Sequence, residues 1–124
     1  MNEDQVEKYY KKVDTMAPGE LDALGFGAIQ LDGQGKVLQY NLYEGQLAGL
    51  DPTRVVGKNF FRDVAPCTDV KEFAGQFREG VKNKTLYTKF RYRFMFKHQP
   101  PRNVLVTLYY SRDSDSTWVF VQAV

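Results

Sequence analysis

Hydrophobic and polar positions alternate across residues 89–97, with Phe90, Tyr92, Phe94 and Phe96 facing one way and Lys89, Arg91, Arg93, Met95 and Lys97 the other. A period of two is that of a strand with one buried face. Two further strand-like runs follow at residues 104–110 and 118–121, set off by Pro100-Pro101 and by the turn formers of residues 113–116. Nearer the start, residues 26–31 and 36–40 are short strand-like runs. They are joined by Asp32, Gly33, Gln34 and Gly35, a hairpin signature because glycine admits positive φ.

Between and before these runs the period changes. Val6, Tyr9, Tyr10 and Val13 recur at helical spacing, which predicts an amphipathic helix over residues 3–13 laid on a larger body as a movable cap. Ala17-Pro18-Gly19 breaks it, and a short helical turn is expected over residues 20–24. Asn41 is placed to cap a short helix, with Glu44 three residues later completing a capping box. Residues 57–69, GKNFFRDVAPCTD, read as an irregular loop with aromatics to bury. Asp69 and Glu72 suit a second capping box, opening a helix to about residue 83 with Val70, Phe73, Phe77 and Val81 as its apolar stripe. The order β-β-short helices-helix-β-β-β predicts one α+β domain whose last three strands are antiparallel and whose helix covers the sheet.

Composition narrows the function. The 124 residues are 43% hydrophobic, 26% charged and 15% aromatic, as expected of one ordinary globular domain. A net charge of +2 is too small to imply a polyanionic partner, and the alternation at residues 89–97 puts aromatics and cations on opposite faces, not on one stacking platform. A single cysteine excludes an internal disulfide and a cysteine-rich zinc site. No run approaches the ~18 apolar residues of a membrane span. A soluble, cytoplasmic protein without nucleic-acid or membrane partners is expected.

Four residues carry candidate chemistry. Cys67 follows Pro66 and precedes the expected cap Asp69, so it reads either as a small buried side chain or as a nucleophile whose thiolate is favoured near a helix start. Glu44 belongs at the surface by its capping role. Leu47 and Ala48 nevertheless give it an apolar neighbourhood, and burial without a cation would keep it neutral and able to donate a hydrogen bond. Tyr40 is either a core aromatic or a group pointing at the same place. His98 is a candidate base for the cysteine or a solvated loop residue, with no third orienting group in view.

Taken together, the runs GFGAIQLDGQGKVLQYN, VVGKNFF, DVAPCTD and the closing WVFV resemble the photoactive yellow protein family, blue-light receptors of the PAS superfamily. The resemblance covers residues 20–124. It implies a PAS fold, a central antiparallel five-stranded sheet flanked by helices, with residues 1–24 as an amino-terminal helical cap and 25–124 as the chromophore-binding core. It further implies p-coumaric acid (4-hydroxycinnamic acid) held as a thioester on Cys67, with its phenolate bonded by Tyr40 and protonated Glu44 and its carbonyl held by the Cys67 backbone N–H. Ile29, Ala48, Leu50, Phe60, Val64, Ala65, Thr68, Phe94, Phe96 and His98 are the implied lining. Light would drive trans-to-cis isomerisation, proton transfer from Glu44 and loosening of the cap. Four positions depart from the family pattern: Ala48 for a threonine, Leu50 for an arginine, Phe96 for a tyrosine and His98 for a methionine. A sensor and not an enzyme is expected, a monomer or weak dimer acting on a downstream signalling protein. The competing expectation is a PAS module that binds a small ligand or partner without a pigment.

Overall fold

The computed structural model describes residues 3–124. The alternating run becomes strand β3 (Tyr87–Phe94), which ends where Met95 onward turns away, ahead of the two prolines. β4 (Arg102–Ser111) and β5 (Ser116–Ala123) are longer than the sequence pattern predicts because both are buried on two faces, so alternation is hidden in continuous apolar runs. β1 (Gly27–Leu31) and β2 (Val37–Tyr40) form the expected hairpin, with a register shift at Gln30/Leu31. The five strands are antiparallel in the order β2-β1-β5-β4-β3.

Register sorts the side chains onto two faces. Ile29, Leu31, Val106, Leu108, Val119 and Val121 point to one face and meet Phe60, Phe61, Phe73 and Phe77 from the segments crossing it. Ala28, Trp118 and Phe120 point to the other, with Phe26 beside them. That second face is covered by the amino-terminal segment: α1 (Glu3–Tyr9), a 3-10 turn (Val13–Thr15) and α2 (Pro18–Asp22). Val6, Val13 and Leu21 are its buried anchors, each contributing about 1.5–3 kcal/mol of apolar burial before ordering costs. The sequence pattern runs one helix to residue 13. Instead the chain tightens after Tyr9, which lets Asp14 face the sheet and accept hydrogen bonds from the Ser111 hydroxyl and from Trp118 Nε1 (2.8 Å). α2 starts two residues before the expected turn. Pro18 sits at a helical position where no N–H is needed, and Glu20 accepts the Ala17 N–H (2.8 Å).

The crossing segments are α3 (Leu42–Ala48), α4 (Pro52–Val55), a π-helical turn (Phe60–Val64), a 3-10 turn (Pro66–Thr68), a second π-helical turn (Lys71–Gly75) and α5 (Gln76–Asn83). Gly49 closes α3 at φ 70°, a conformation that suits a residue without Cβ. Two expectations fail here. Residues 57–69 are wound into turns rather than irregular, so Phe60 and Phe61 reach the core together. No capping box forms at Asp69, whose Oδ1 accepts from Arg78 Nη2 (3.1 Å), while the wide turn at Lys71–Gly75 delays α5 to Gln76.

Candidate functional site

Asn41 shows why the site forms where it does. It caps α3 as expected, its Oδ1 accepting Glu44 N–H (3.2 Å), but the same oxygen also accepts Ala28 N–H (3.0 Å). Its Nδ2 donates to the carbonyls of Leu21 (2.8 Å) and Phe26 (3.0 Å). One buried amide therefore ties α3 to β1 and to the end of α2. Its role as a tie is not readable from local sequence, because three of its four partners lie more than twelve positions away.

This tie turns the first turn of α3 onto the sheet and sends Glu44 inward. The expected surface position is wrong: Glu44 is 2% exposed and does not return to the Asn41 N–H, which donates to Ala28 O (3.1 Å) instead. Space for the carboxyl comes from Gly27, where a Cβ would stand 2.0 Å from Glu44 Oε1. Among the described residues Oε1 has no hydrogen-bond partner. Desolvation penalises the charged form and pushes the Glu44 pKa up to about 8, so the carboxyl is neutral at pH 7 and carries a proton it can donate. Burial also raises the Tyr40 pKa, with the neighbouring Glu44 charge adding to it, so the phenol stays protonated.

Both groups line one cavity with Cys67. Ala48, Leu50, Phe60, Val64, Ala65, Phe94 and Phe96 complete it as the family pattern implies, together with Pro66, Met95 and Lys97, which that pattern did not single out. Met95 and Lys97 belong to the polar side of the β3 alternation, and they reach the cavity only because the chain leaves the strand after Phe94. Three implied lining residues lie elsewhere. Ile29 is packed in the core. Thr68 is buried with its hydroxyl on Ala65 O (2.7 Å), bracing the turn that carries Cys67. His98 is exposed and lines a neighbouring surface depression with Arg54 and Lys58, so it is no partner for the cysteine.

Cys67 sits inside the Pro66–Thr68 turn, not ahead of a long helix, and a three-residue turn supplies little macrodipole to its sulfur. Tyr92 donates from its hydroxyl to Cys67 O, and the Met95 N–H lies 3.5 Å from Sγ. The cysteine is half-buried. The enclosed volume is about 30 Å³, room for a water or two. A larger group needs the wall to give. Leu50, Val64 and Phe96 are only partly buried and Met95 and Lys97 are exposed, whereas Phe60, Phe94 and Glu44 are buried. The chemistry of the set is that of a thiol at one side of an apolar slot and two neutral hydroxyl-type donors lining the same slot. That donor set fits a covalently attached group carrying an anionic oxygen. Among the described residues no cluster of three or more His, Cys, Asp or Glu could hold a metal, and no helix is long and apolar enough to cross a membrane.

Comparison with known proteins agrees with this geometry. Residues 18–124 match the PAS fold family. The chain is 50% identical over 109 residues to the photoactive yellow protein of Rhodothalassium salexigens, covering 88% of this chain and 86% of that one. It is 38% identical over 109 residues to the photoactive yellow protein of Cereibacter sphaeroides, covering 86% of each. The photoactive yellow protein domain of the sensor histidine kinase Ppr from Rhodospirillum centenum matches with a TM-score of 0.85 at 41% identity, covering 90% of this chain and 97% of that domain. A PAS domain of an HTR-like protein from Haloarcula marismortui, TM-score 0.63 at 13% identity, shares the fold alone. Fold and site thus define a sensor domain of the PAS class. Within that class the chain belongs to the photoactive yellow protein family, whose members carry a covalent chromophore and serve as photoreceptors.

Proposed function

We propose that this chain is a blue-light sensor, not an enzyme, that carries a p-coumaroyl group on Cys67 and signals by loosening its amino-terminal segment. The observation that carries the reading is a neutral, buried Glu44 carboxyl with an unpartnered oxygen, in the same cavity as Tyr40 and the Cys67 sulfur. Attachment needs an activated p-coumaric acid. The Cys67 thiolate attacks the acyl carbon, a C–S bond forms, and the donor's leaving group departs with its bonding electrons and takes up a proton from solvent. When bound, the group supplies blue absorption and a double bond that light turns from trans to cis.

The chain's own residues do the rest. Tyr40 and Glu44 donate to the phenolate oxygen, a requirement for holding an anion out of water. The aromatic wall of Phe60, Phe94 and Phe96 excludes solvent. When Glu44 gives up its proton, its carboxylate stays buried, with no hydrogen-bond donor to Oε1 among the described residues. An uncompensated buried charge costs several kcal/mol. Relief comes through Asn41, which joins the α3 start to the carbonyls of Leu21 and Phe26 at the root of the cap. In this reading the cap is the layer that opens. A downstream signalling protein would read that change, in keeping with a relative whose like domain is part of a sensor histidine kinase.

The test is reconstitution. Apoprotein mixed with an activated p-coumaroyl donor should gain the acyl mass once and acquire a bleachable visible band, and Cys67→Ser should lose both. Reversible binding of the free acid with no mass gain favours a ligand-binding PAS module, and turnover of the donor without retained acyl favours an enzyme. Either result rejects the proposal.

A further inference from the structure

β2 is an edge strand of the sheet. Its outer edge is closed only at Val37, whose N–H donates to Lys58 O (2.9 Å) and whose carbonyl accepts Gly57 N–H (2.8 Å). Past that point the edge of residues 38–40 away from β1 has no strand beside it among the described residues. Along this open stretch runs a groove of about 480 Å³. Leu38, Leu42 and Val56 line it at 38%, 46% and 48% exposure, three of the seven large apolar side chains exposed among the described residues. An apolar strip on a free strand edge invites pairing, and proteins that leave one open use it or suffer aggregation.

The groove's charge limits what fits. Its two charged lining residues are both carboxylates, in a chain of net charge +2. Asp22 holds the Leu42 N–H (2.8 Å) and Asp51 holds the Thr53 N–H (2.9 Å) and hydroxyl (2.8 Å), each through Oδ1. The other oxygens remain for an occupant. A second copy pairing by two-fold symmetry would bring the same carboxylates together, and a helix would leave the strand edge unpaired. Tyr40 lines both this groove and the Cys67 cavity, so what docks outside presses on a residue of the site inside.

We infer that this groove docks an extended segment of a partner protein, aliphatic at alternate positions and flanked by lysine or arginine, added as a strand beside residues 38–40. The main chain supplies the pairing, Leu38, Leu42 and Val56 receive the aliphatic side chains, and Asp22 and Asp51 select the basic flanks. This rests on the groove alone and stands whether or not Cys67 carries a pigment. Selection of short random peptides displayed on phage against the whole chain tests it. Binders should share the alternating aliphatic and basic pattern, slow amide exchange at residues 38–40, and bind Leu42→Lys or Val56→Lys on the order of tenfold more weakly. Both substitutions are at exposed positions and leave the core untouched. An acidic or helical consensus, binders indifferent to both substitutions, no binder at all, or protection of residues 38–40 that follows self-association in sedimentation would overturn it.

Discussion

The two faces of the sheet handle carboxylates in opposite ways. On the cavity face Glu44 is buried against Gly27 with one oxygen unpartnered, and desolvation holds it neutral up to about pH 8. On the cap face Asp14 accepts from Ser111 and Trp118, and Glu7 accepts from the Tyr87 hydroxyl and pairs with Lys89 Nζ (2.6 Å). Those bonds, the Lys89 contact first, pull the Glu7 pKa below its ordinary value. One face stores a proton, and on the other the Lys89 ammonium and the Tyr87 hydroxyl favour the charged form of Glu7. A change that ionises Glu44 therefore acts on the core without directly disturbing the bonds of the cap. The two communicate through Asn41 and the shared strands.

Removing the ionisable group should have the largest effect. Unfolded, Glu44 ionises near pH ~4.3, and folded it keeps its proton to about 8. The folded state thus binds more protons in that window, and stability falls as pH rises through it, by on the order of 5 kcal/mol, before levelling off. Glu44→Gln should abolish that slope. Urea midpoints of apoprotein at pH 5, 7 and 9 compare the two, and parallel profiles would break the contrast between the faces. Next comes Asp14→Ala, which strands the Trp118 indole N–H under the cap and should cost about 2–3 kcal/mol, read as faster amide exchange over α1 and α2. Gly27→Ala puts a methyl where Glu44 Oε1 lies, and overpacking should cost about 1–3 kcal/mol, together with a displaced visible band in reconstituted protein. Smallest is Glu7→Gln. The carboxylate is 48% exposed at the side chain, so its pairing with Lys89 should be worth about 0.2–1 kcal/mol, and added salt should shrink the difference. Because the Glu7 pKa is lowered, its contribution is present above pH ~4.3 and disappears as pH falls.

How much of this was legible depends on the range of the interactions. The β3 alternation and the β1–β2 hairpin follow from neighbours in sequence; the hairpin appears within a residue of where the pattern places it, and β3 starts two residues earlier and ends three residues earlier than the alternation. The Asp69 cap fails because Arg78, on α5, takes the carboxylate. His98 lands outside the cavity because the loop ahead of Pro100 carries it to the surface, while Met95 and Lys97 enter by the same departure from the strand. The burial of Glu44 depends on a glycine seventeen positions earlier and on an amide with three distant partners, so local sequence alone favoured the surface. Resemblance to a family pointed to Cys67, Tyr40 and Glu44 together, and periodicity had no means to do so.

The proposed switch depends on Glu44 being a neutral acid inside the cavity that holds Cys67. Carbon-13 NMR of the labelled Glu44 carboxyl, assigned by its loss in Glu44→Gln and followed from pH 4 to 10, measures it directly. A midpoint near 8 is expected. A midpoint in the ordinary carboxylate range, near ~4.3, would mean that the group is charged at pH 7, and the proton the proposed switch needs would not be there.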